Sequence, residues 1–244
     1  MTEGDHQRRM YTDLSWTWPI ISPPEDYIYE AGFFRKMIQE HSQIDVNTLL
    51  DLGCGGGHND CTLKQSFSVT GVDISENMLA IARQLNPEVS YALGDMRTVR
   101  FGKTFDAVMI ADSIAYMLTL EDLREALDTV YIHLKPGGVF CTYAEETKER
   151  FQQNKTHYSI NHKGDIDIVL IQNDYDPDPV DTIYESTFVY LIRNKGSLDI
   201  VNDRHLSGLF NLDTWSCEMT AMGFKVIQTV FEGESFPFFI CLKS

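Results

Sequence analysis

The stretch LLDLGCGGGHND, Leu49–Asp60, decides the fold. An apolar run ends in an acid, and Gly53, Gly55, Gly56 and Gly57 follow almost at once. A buried strand that runs through such a turn into a helix brings several backbone N–H groups to one point, and the helix N-terminus adds positive potential there. Glycines allow the tight turn and let a ligand lie against bare backbone. The pattern suits a nucleotide-like cofactor. The dinucleotide fingerprint GxGxxG fails at its third glycine, where His58 stands, and no GxxxxGK[ST] string exists for a P-loop.

Outward from that loop, strand and helix signals alternate. YIYEAGFFRKMIQEH reads as an amphipathic helix with Phe33, Phe34 and Met37 on one face, and VNTLLDL as a buried strand. FSVTGVDIS holds a second strand, Ser75 caps the helix ENMLAIARQLN, and Pro87 ends it. Val89 to Ala92 is a short third strand, FDAVMIAD a fourth and VFCTYAE a fifth, the last preceded by the helix LTLEDLREALDTVYIHL and the stop KPGG. This alternation is the signature of a parallel sheet covered by helices. After Glu146 the rhythm changes. DIDIVLIQNDY, DTIYESTFVYLIR and SLDIVNDRHLSGLF read as three longer antiparallel strands, separated by the turn signals DPDP and NKG. The helix LDTWSCEMTAMG and the strand pair FKVIQTVF and PFFICLK then return to the main sheet. The expectation is one α/β domain over 1–244, with residues 146–211 as an inserted antiparallel module and residues 1–26 irregular.

Composition excludes several classes of function. A formal charge of −16 repels a phosphate backbone, so neither nucleic acid nor an anionic membrane surface is expected as partner. The opening MTEGDHQRRMYTDLSW has no apolar core for a signal peptide, and no apolar run reaches membrane-spanning length. The five cysteines are scattered and form no CxxC pair, which fits reduced thiols and a cytoplasmic location and gives no support for zinc. His58 and Asp60 lie close, but without the partners a metal needs.

DLGCGGG resembles the glycine-rich motif of class I S-adenosylmethionine (SAM) methyltransferases. GVDIS is similar to their ribose-binding strand end, ALGDM to their adenine loop, and LKPGGVF to the turn before their fifth strand. The resemblance implies a Rossmann-like, mostly parallel seven-stranded sheet and SAM as cofactor. It places the backbone of Gly53 and Gly55, with Asp51 and Cys54 in the same motif, beside the methionine part. Asp73, followed by Ile74, is placed at the ribose hydroxyls, and Asp95 and Met96 at the adenine. Met78 is either an adenine-side contact or a core methionine. Asp112 holds the SAM amino group or the substrate, or is a turn cap.

A narrower likeness joins MYTDLSW, ADSIAYML and the RHLSGLFNLDTW…AMGF region to the N,N-dimethyltransferases of nucleotide-linked amino sugars. Those enzymes sometimes carry a His where this chain has Tyr116, and glycine-type N-methyltransferases share the overall plan. The candidate catalytic residues are Tyr11 as a lid over the methyl group, Tyr116 to orient an amine, and His205 as proton acceptor. Each has a plain structural alternative, as do Trp16 and Trp18, which would share one face of an extended segment. The expected acceptor is a small molecule, with nitrogen favoured. An oxygen acceptor, or a SAM-binding partner protein without catalysis, remains open, as does the choice between monomer and homodimer.

Overall fold

The C-terminal ends of four parallel strands place every cofactor motif on one rim of a single sheet. The computed structural model describes residues 8–231, 233 and 235–244, so the first seven residues of the stretch read as irregular lie outside the described residues. Ahead of the sheet come the short helix α1 (Trp18–Ile21), several 3₁₀ turns and helix α2 (Ile28–His41). The sheet then alternates with helices: β1 (Thr48–Leu52), α3 (Asp60–Leu63), β2 (Ser68–Asp73), α4 (Glu76–Leu85), β3 (Ser90–Leu93), β4 (Phe105–Ile110), α5 (Leu120–His133) and β5 (Leu134–Tyr143). Four further strands follow: β6 (Lys155–Lys163), β7 (Ile166–Tyr175), β8 (Ile183–Asn194) and β9 (Ser197–Gly208). Helix α6 (Leu212–Ala221) and the hairpin β10 (Phe224–Val230) with β11 (Pro237–Lys243) complete the fold.

The seven-stranded sheet has the order β10-β11-β5-β4-β1-β2-β3, parallel from β5 to β3 and antiparallel at β11 and β10. This is the class I methyltransferase arrangement. Strand alternation builds its two cores. Leu49, Ala107, Met109, Val139 and Cys141 face α2 on one side, whereas Leu50, Val108, Ile110 and Phe140 face α5 and α6 on the other. The helix starts are fixed locally. Ser75 accepts the Met78 N–H at 3.2 Å, and Thr119 and Asp122 form a reciprocal capping box at the start of α5. β5 begins before KPGG rather than after it. Phe105 pairs with Leu134 but Ala107 with Val139, so the Pro-Gly-Gly stretch is a bulge inside the strand.

Between β5 and α6 stands a four-stranded antiparallel sheet in the order β6-β7-β8-β9. It has one strand more than the sequence pattern indicated: KTHYSINHK pairs with β7 along its whole length. Its polar alternation hides a strand that its neighbour's hydrogen bonds, rather than burial, hold in place. His157 and His162 lie on it and are exposed. The inner face of this sheet presents Ile168, Phe188, Tyr190 and Ile192, which pack on Met10 and Leu14. The segment Arg8–Ile21 is thereby strapped against the sheet.

Candidate active site

A cavity of about 1040 Å³ lies where the parallel strands end. Open α/β sheets bind ligands at this rim because successive loops diverge there. Gly53 and Gly55 take φ of +77° and +52°, in the left-handed region where a side chain is strained. A Cβ on Gly53 would come within 2.4 Å of the Ser113 Cβ, whereas one on Gly55 would meet only Met78 Cε, at 3.6 Å. The first glycine is needed for packing, and the second leaves backbone open toward the cavity.

Asp73 ends β2 at the cavity wall. Its Oδ2 accepts the Gly55 N–H at 2.9 Å and its Oδ1 the Ser75 N–H at 2.8 Å, so one carboxylate braces the glycine loop and the start of α4. Burial raises its pKa above the ordinary aspartate value. Ile74, Met78, Met96 and Cys54 line the same cavity. Asp95 lines it too, but Arg97 grips both its oxygens, at 3.1 Å from Nε and 2.7 Å from Nη2, and lowers its pKa. A carboxylate oxygen accepts more than one hydrogen bond, so Asp95 can still receive an amino group.

At the other end stand the candidate catalytic residues. The Tyr11 and Tyr116 hydroxyls are 2.8 Å apart, and the Tyr116 hydroxyl is 2.8 Å from His205 Nδ1. His205 Nε2 lies 2.9 Å from Asp203 Oδ2, which also accepts the Met10 N–H at 2.7 Å. Burial pulls the Asp203 carboxyl upward, but the bonds from His205 and the backbone outweigh it and bring the pKa down to about 2. Burial raises both tyrosines. Arg8 lies over the Tyr116 ring, 4.6 Å from its centroid.

The wall beside the tyrosines is acidic. Asp112 is open to the cavity, and the surrounding protein together with Glu30 pushes its carboxyl up to about 6. Burial, Asp112 and Glu146 push Glu145 up to about 7. Arg150 and Lys155 line the cavity near the aromatics Phe231 and Phe236. Arg150 donates through Nη1 to the Ser235 carbonyl, while its Nε is buried without a partner.

Several expected placements change. Asp51 does not reach the cavity. It is 2% exposed, pressed against the buried Asp60 beneath the glycine loop, and burial followed by that second carboxylate raises its pKa well above normal. Its side chain turns inward from the end of β1, and its Oδ1 is buried without a partner. His205 is 2% exposed and lies behind the tyrosines, so it reaches the cavity only through Tyr116. Trp16 and Trp18 part company because their segment is helical rather than extended: Trp18 lines the cavity and Trp16 is exposed. Tyr11, Tyr116, Asp112 and Ser113 all line it.

Three groups at or behind the cavity wall were missed. Asp203 had a signal, since D-x-H on one strand puts both side chains on one face. Glu30 had none, because only the docking of α2 brings it to Asn59 Nδ2, at 2.7 Å. His58 stacks near Trp18 with both ring nitrogens unpartnered, and burial lowers its pKa to about 4. Among the described residues, no group of three or more His, Cys, Asp or Glu could hold a metal ion. No helix among them is long and apolar enough to cross a membrane.

Comparison with known proteins agrees with this geometry. A family model described as a methyltransferase domain matches residues 49–138. The dTDP-3-amino-3,4,6-trideoxy-alpha-D-glucopyranose N,N-dimethyltransferase of Streptomyces venezuelae is 28% identical over 204 residues, 83% of this chain and 85% of that protein. The dTDP-3-amino-3,6-dideoxy-alpha-D-glucopyranose N,N-dimethyltransferase of Streptomyces fradiae is 37% identical over 117 residues, 47% of this chain and 46% of that one. Among solved structures, DesVI of Streptomyces venezuelae superposes with a TM-score of 0.85 at 23% identity, over 98% of this chain and 100% of that chain. Fold, glycine loop and family match define the chain as a SAM-dependent methyltransferase of class I. Over most of its length it is similar to a sugar-nucleotide N,N-dimethyltransferase.

Proposed function

We propose that this enzyme methylates the amino nitrogen of a nucleotide-linked amino sugar. The observation that carries the reading is the file of tyrosine hydroxyls opening onto a cavity whose wall bears Asp112 and Glu145. Carboxylates favour a cationic amine, and hydroxyls orient its N–H groups. The N,N-dimethyltransferase activities of the relatives support nitrogen as the acceptor atom and a sugar nucleotide as its carrier. Arg150 and Lys155 offer cations for a diphosphate, and Phe231 and Phe236 offer faces for a base.

The residues present fit SAM, because Gly55 leaves open backbone, Asp73 ends β2 at the cavity, and Met78 and Met96 stand beside them. When bound, SAM supplies a methyl group activated on a sulfonium sulfur. Asp73 accepts hydrogen bonds from the ribose hydroxyls, and Asp95 accepts from the adenine amino group. Asp112 faces the α-amino group or the acceptor. Tyr11 closes over the reacting atoms and holds the nitrogen in line, since alignment supplies much of the rate in such a displacement. The sheet β6–β9, within residues 146–211, roofs the acceptor and excludes water.

The test is incubation with SAM and a panel of dTDP-linked 3-amino and 4-amino sugars, phenols and carboxylic acids, read by mass spectrometry. One or two methyl additions on an amino sugar are expected. Products confined to phenols or acids would overturn nitrogen as the acceptor. SAM binding without any product would place the chain among non-catalytic SAM-binding proteins.

A further inference from the structure

The hydrogen-bonded file at the acceptor end continues past the cavity wall to a charged terminus, Asp203. We infer that Asp203 is the positioning residue that makes His205 a proton acceptor for Tyr116, so that Tyr11, Tyr116 and His205 carry the amine proton out of the cavity. This rests on the acceptor being an amine, as proposed above.

The direction of each bond follows from its far end. Asp203 Oδ1 accepts the Arg204 N–H at 2.9 Å, and its Oδ2 accepts the Met10 N–H at 2.7 Å. A carboxylate so bonded has only acceptors to offer, so the proton between Asp203 and His205 belongs to Nε2. In a neutral ring Nδ1 is then the acceptor, and Tyr116 donates to it. With its own proton committed, Tyr116 can only accept from Tyr11. Tyr11, at the cavity, is left with an oxygen lone pair for an incoming N–H. Without the carboxylate, either ring nitrogen could carry the proton and the file would lose its direction.

The step balances. The amine lone pair forms the new N–C bond, the C–S bond breaks, and its electron pair stays on sulfur. The ammonium formed on the substrate passes one proton to the Tyr11 oxygen. Tyr11 passes its own to Tyr116, and Tyr116 passes its own to Nδ1 of His205. The product amine is neutral, and the imidazolium is paired with Asp203. A second methyl transfer needs this, because an ammonium nitrogen has no lone pair. His205 is 2% exposed, so no solvent path serves the ring directly, and the proton leaves along the same file once the product is gone.

Asp203 also holds the strap. Its bond to Met10 N–H fixes the turn that carries Tyr11, and Ser75 Oγ donates to the Tyr11 carbonyl at 2.5 Å from the other side. The charged and titratable groups around the ring are Tyr11 and Arg9 on the strap, Arg8 over Tyr116, Asp112 before Tyr116, Tyr190 on β8, and Asp203 itself.

Two measurements test the assignment. In ¹⁵N-labelled ligand-free protein, two-bond ring correlations, with His205 identified by its loss in His205→Gln, should show the Nε2–H tautomer. Asp203→Asn should populate the other tautomer. An Nδ1–H tautomer in the wild type would overturn the proposal. This arm needs no substrate, so it decides even if the wild type methylates no amine, a result that would defeat only the functional reading. With a dTDP-amino sugar, Asp203→Asn should lower kcat about ten- to a hundredfold at neutral pH. KM for SAM should stay within about twofold, because Asp203 touches no cofactor residue. The loss should fade at alkaline pH, where the monomethylated amine sheds its proton to water between the two transfers. A loss equal at every pH, or no loss, would mean that Asp203 only holds the strap. Tyr116→Phe interrupts the file while leaving the Asp203–Met10 bond that holds the strap, and should show the same pH recovery. The double variant should be no worse than the poorer single. The wild-type tautomer and the Tyr116→Phe arm stand even if Asp203→Asn fails to fold.

Discussion

The two ends of the cavity are built in different ways. At the cofactor end, Gly55 and Asp73 are bonded across a sequence separation of 18, within one strand–helix–strand unit. At the acceptor end, Tyr11 meets Tyr116 across 105 residues, and Tyr116 meets His205 across 89. The first end is set by local turn geometry, the second by the packing of three distant segments. Damage at the cofactor end should therefore remove binding, whereas damage at the acceptor end should spare binding and remove turnover.

The largest effect is expected at Gly53. Gly53→Val puts a β-branched residue at φ +77° and drives its Cβ into Ser113. SAM affinity should fall by about a hundredfold or more, roughly 3 kcal/mol, and the melting temperature should drop with it. Calorimetric titration that finds wild-type affinity would show that the loop does not set the cofactor site. Next comes Asp73→Ala. Charge-assisted bonds are worth about 1.5–3 kcal/mol, so SAM should weaken about ten- to a hundredfold. Part of that loss belongs to the loop, whose Gly55 and Ser75 amides lose their acceptor. Normal SAM binding by this variant would break the contrast from the cofactor side.

Arg150→Gln should raise KM for a sugar nucleotide about tenfold and leave SAM affinity unchanged, since a single charge-assisted contact of about 1.4 kcal/mol is at stake. Parallel loss of both affinities would mean that the two ends are not separable. The smallest effect concerns the acidic wall. The Asp112 and Glu145 carboxyls, at about 6 and about 7, are raised above their unfolded values, so the native state holds extra protons at mildly acid pH. Their contribution to stability is lost as pH rises from the ordinary carboxylate range through those values. Asp112→Asn should therefore raise the melting temperature of the ligand-free enzyme slightly at pH 8, by about 1–3 °C, and not at pH 4. Solvent screening at this cavity-facing group keeps the gain small. The same variant should weaken binding of a cationic acceptor. A fall in melting temperature at pH 8 would show that the carboxylate stabilises the fold rather than serving the ligand.

The legibility of the molecule follows the same division. β1, β2, β4 and the capped start of α4 were readable because strand periodicity and Ser75 act within a few residues. Strand β6 was not, because its polar side chains carry no burial signal and its partner strand holds it. Asp51 was readable as a strand end but not as a buried neighbour of Asp60. Trp16 and Trp18 were readable as a pair but not as two faces of a helical turn.

Sequence alone determined the chemistry that depends on backbone. Glycines that must adopt positive φ, an acid at the end of β2, and alternating strands and helices fix a SAM-binding rim, because each constraint acts over a short span of chain. Only tertiary structure decided where a proton can go. Whether Tyr11, Tyr116, His205 and Asp203 stand apart or in one file depends on how the strap, the rim and the inserted sheet pack together. Long-range packing is cooperative, so no single segment encodes that contact.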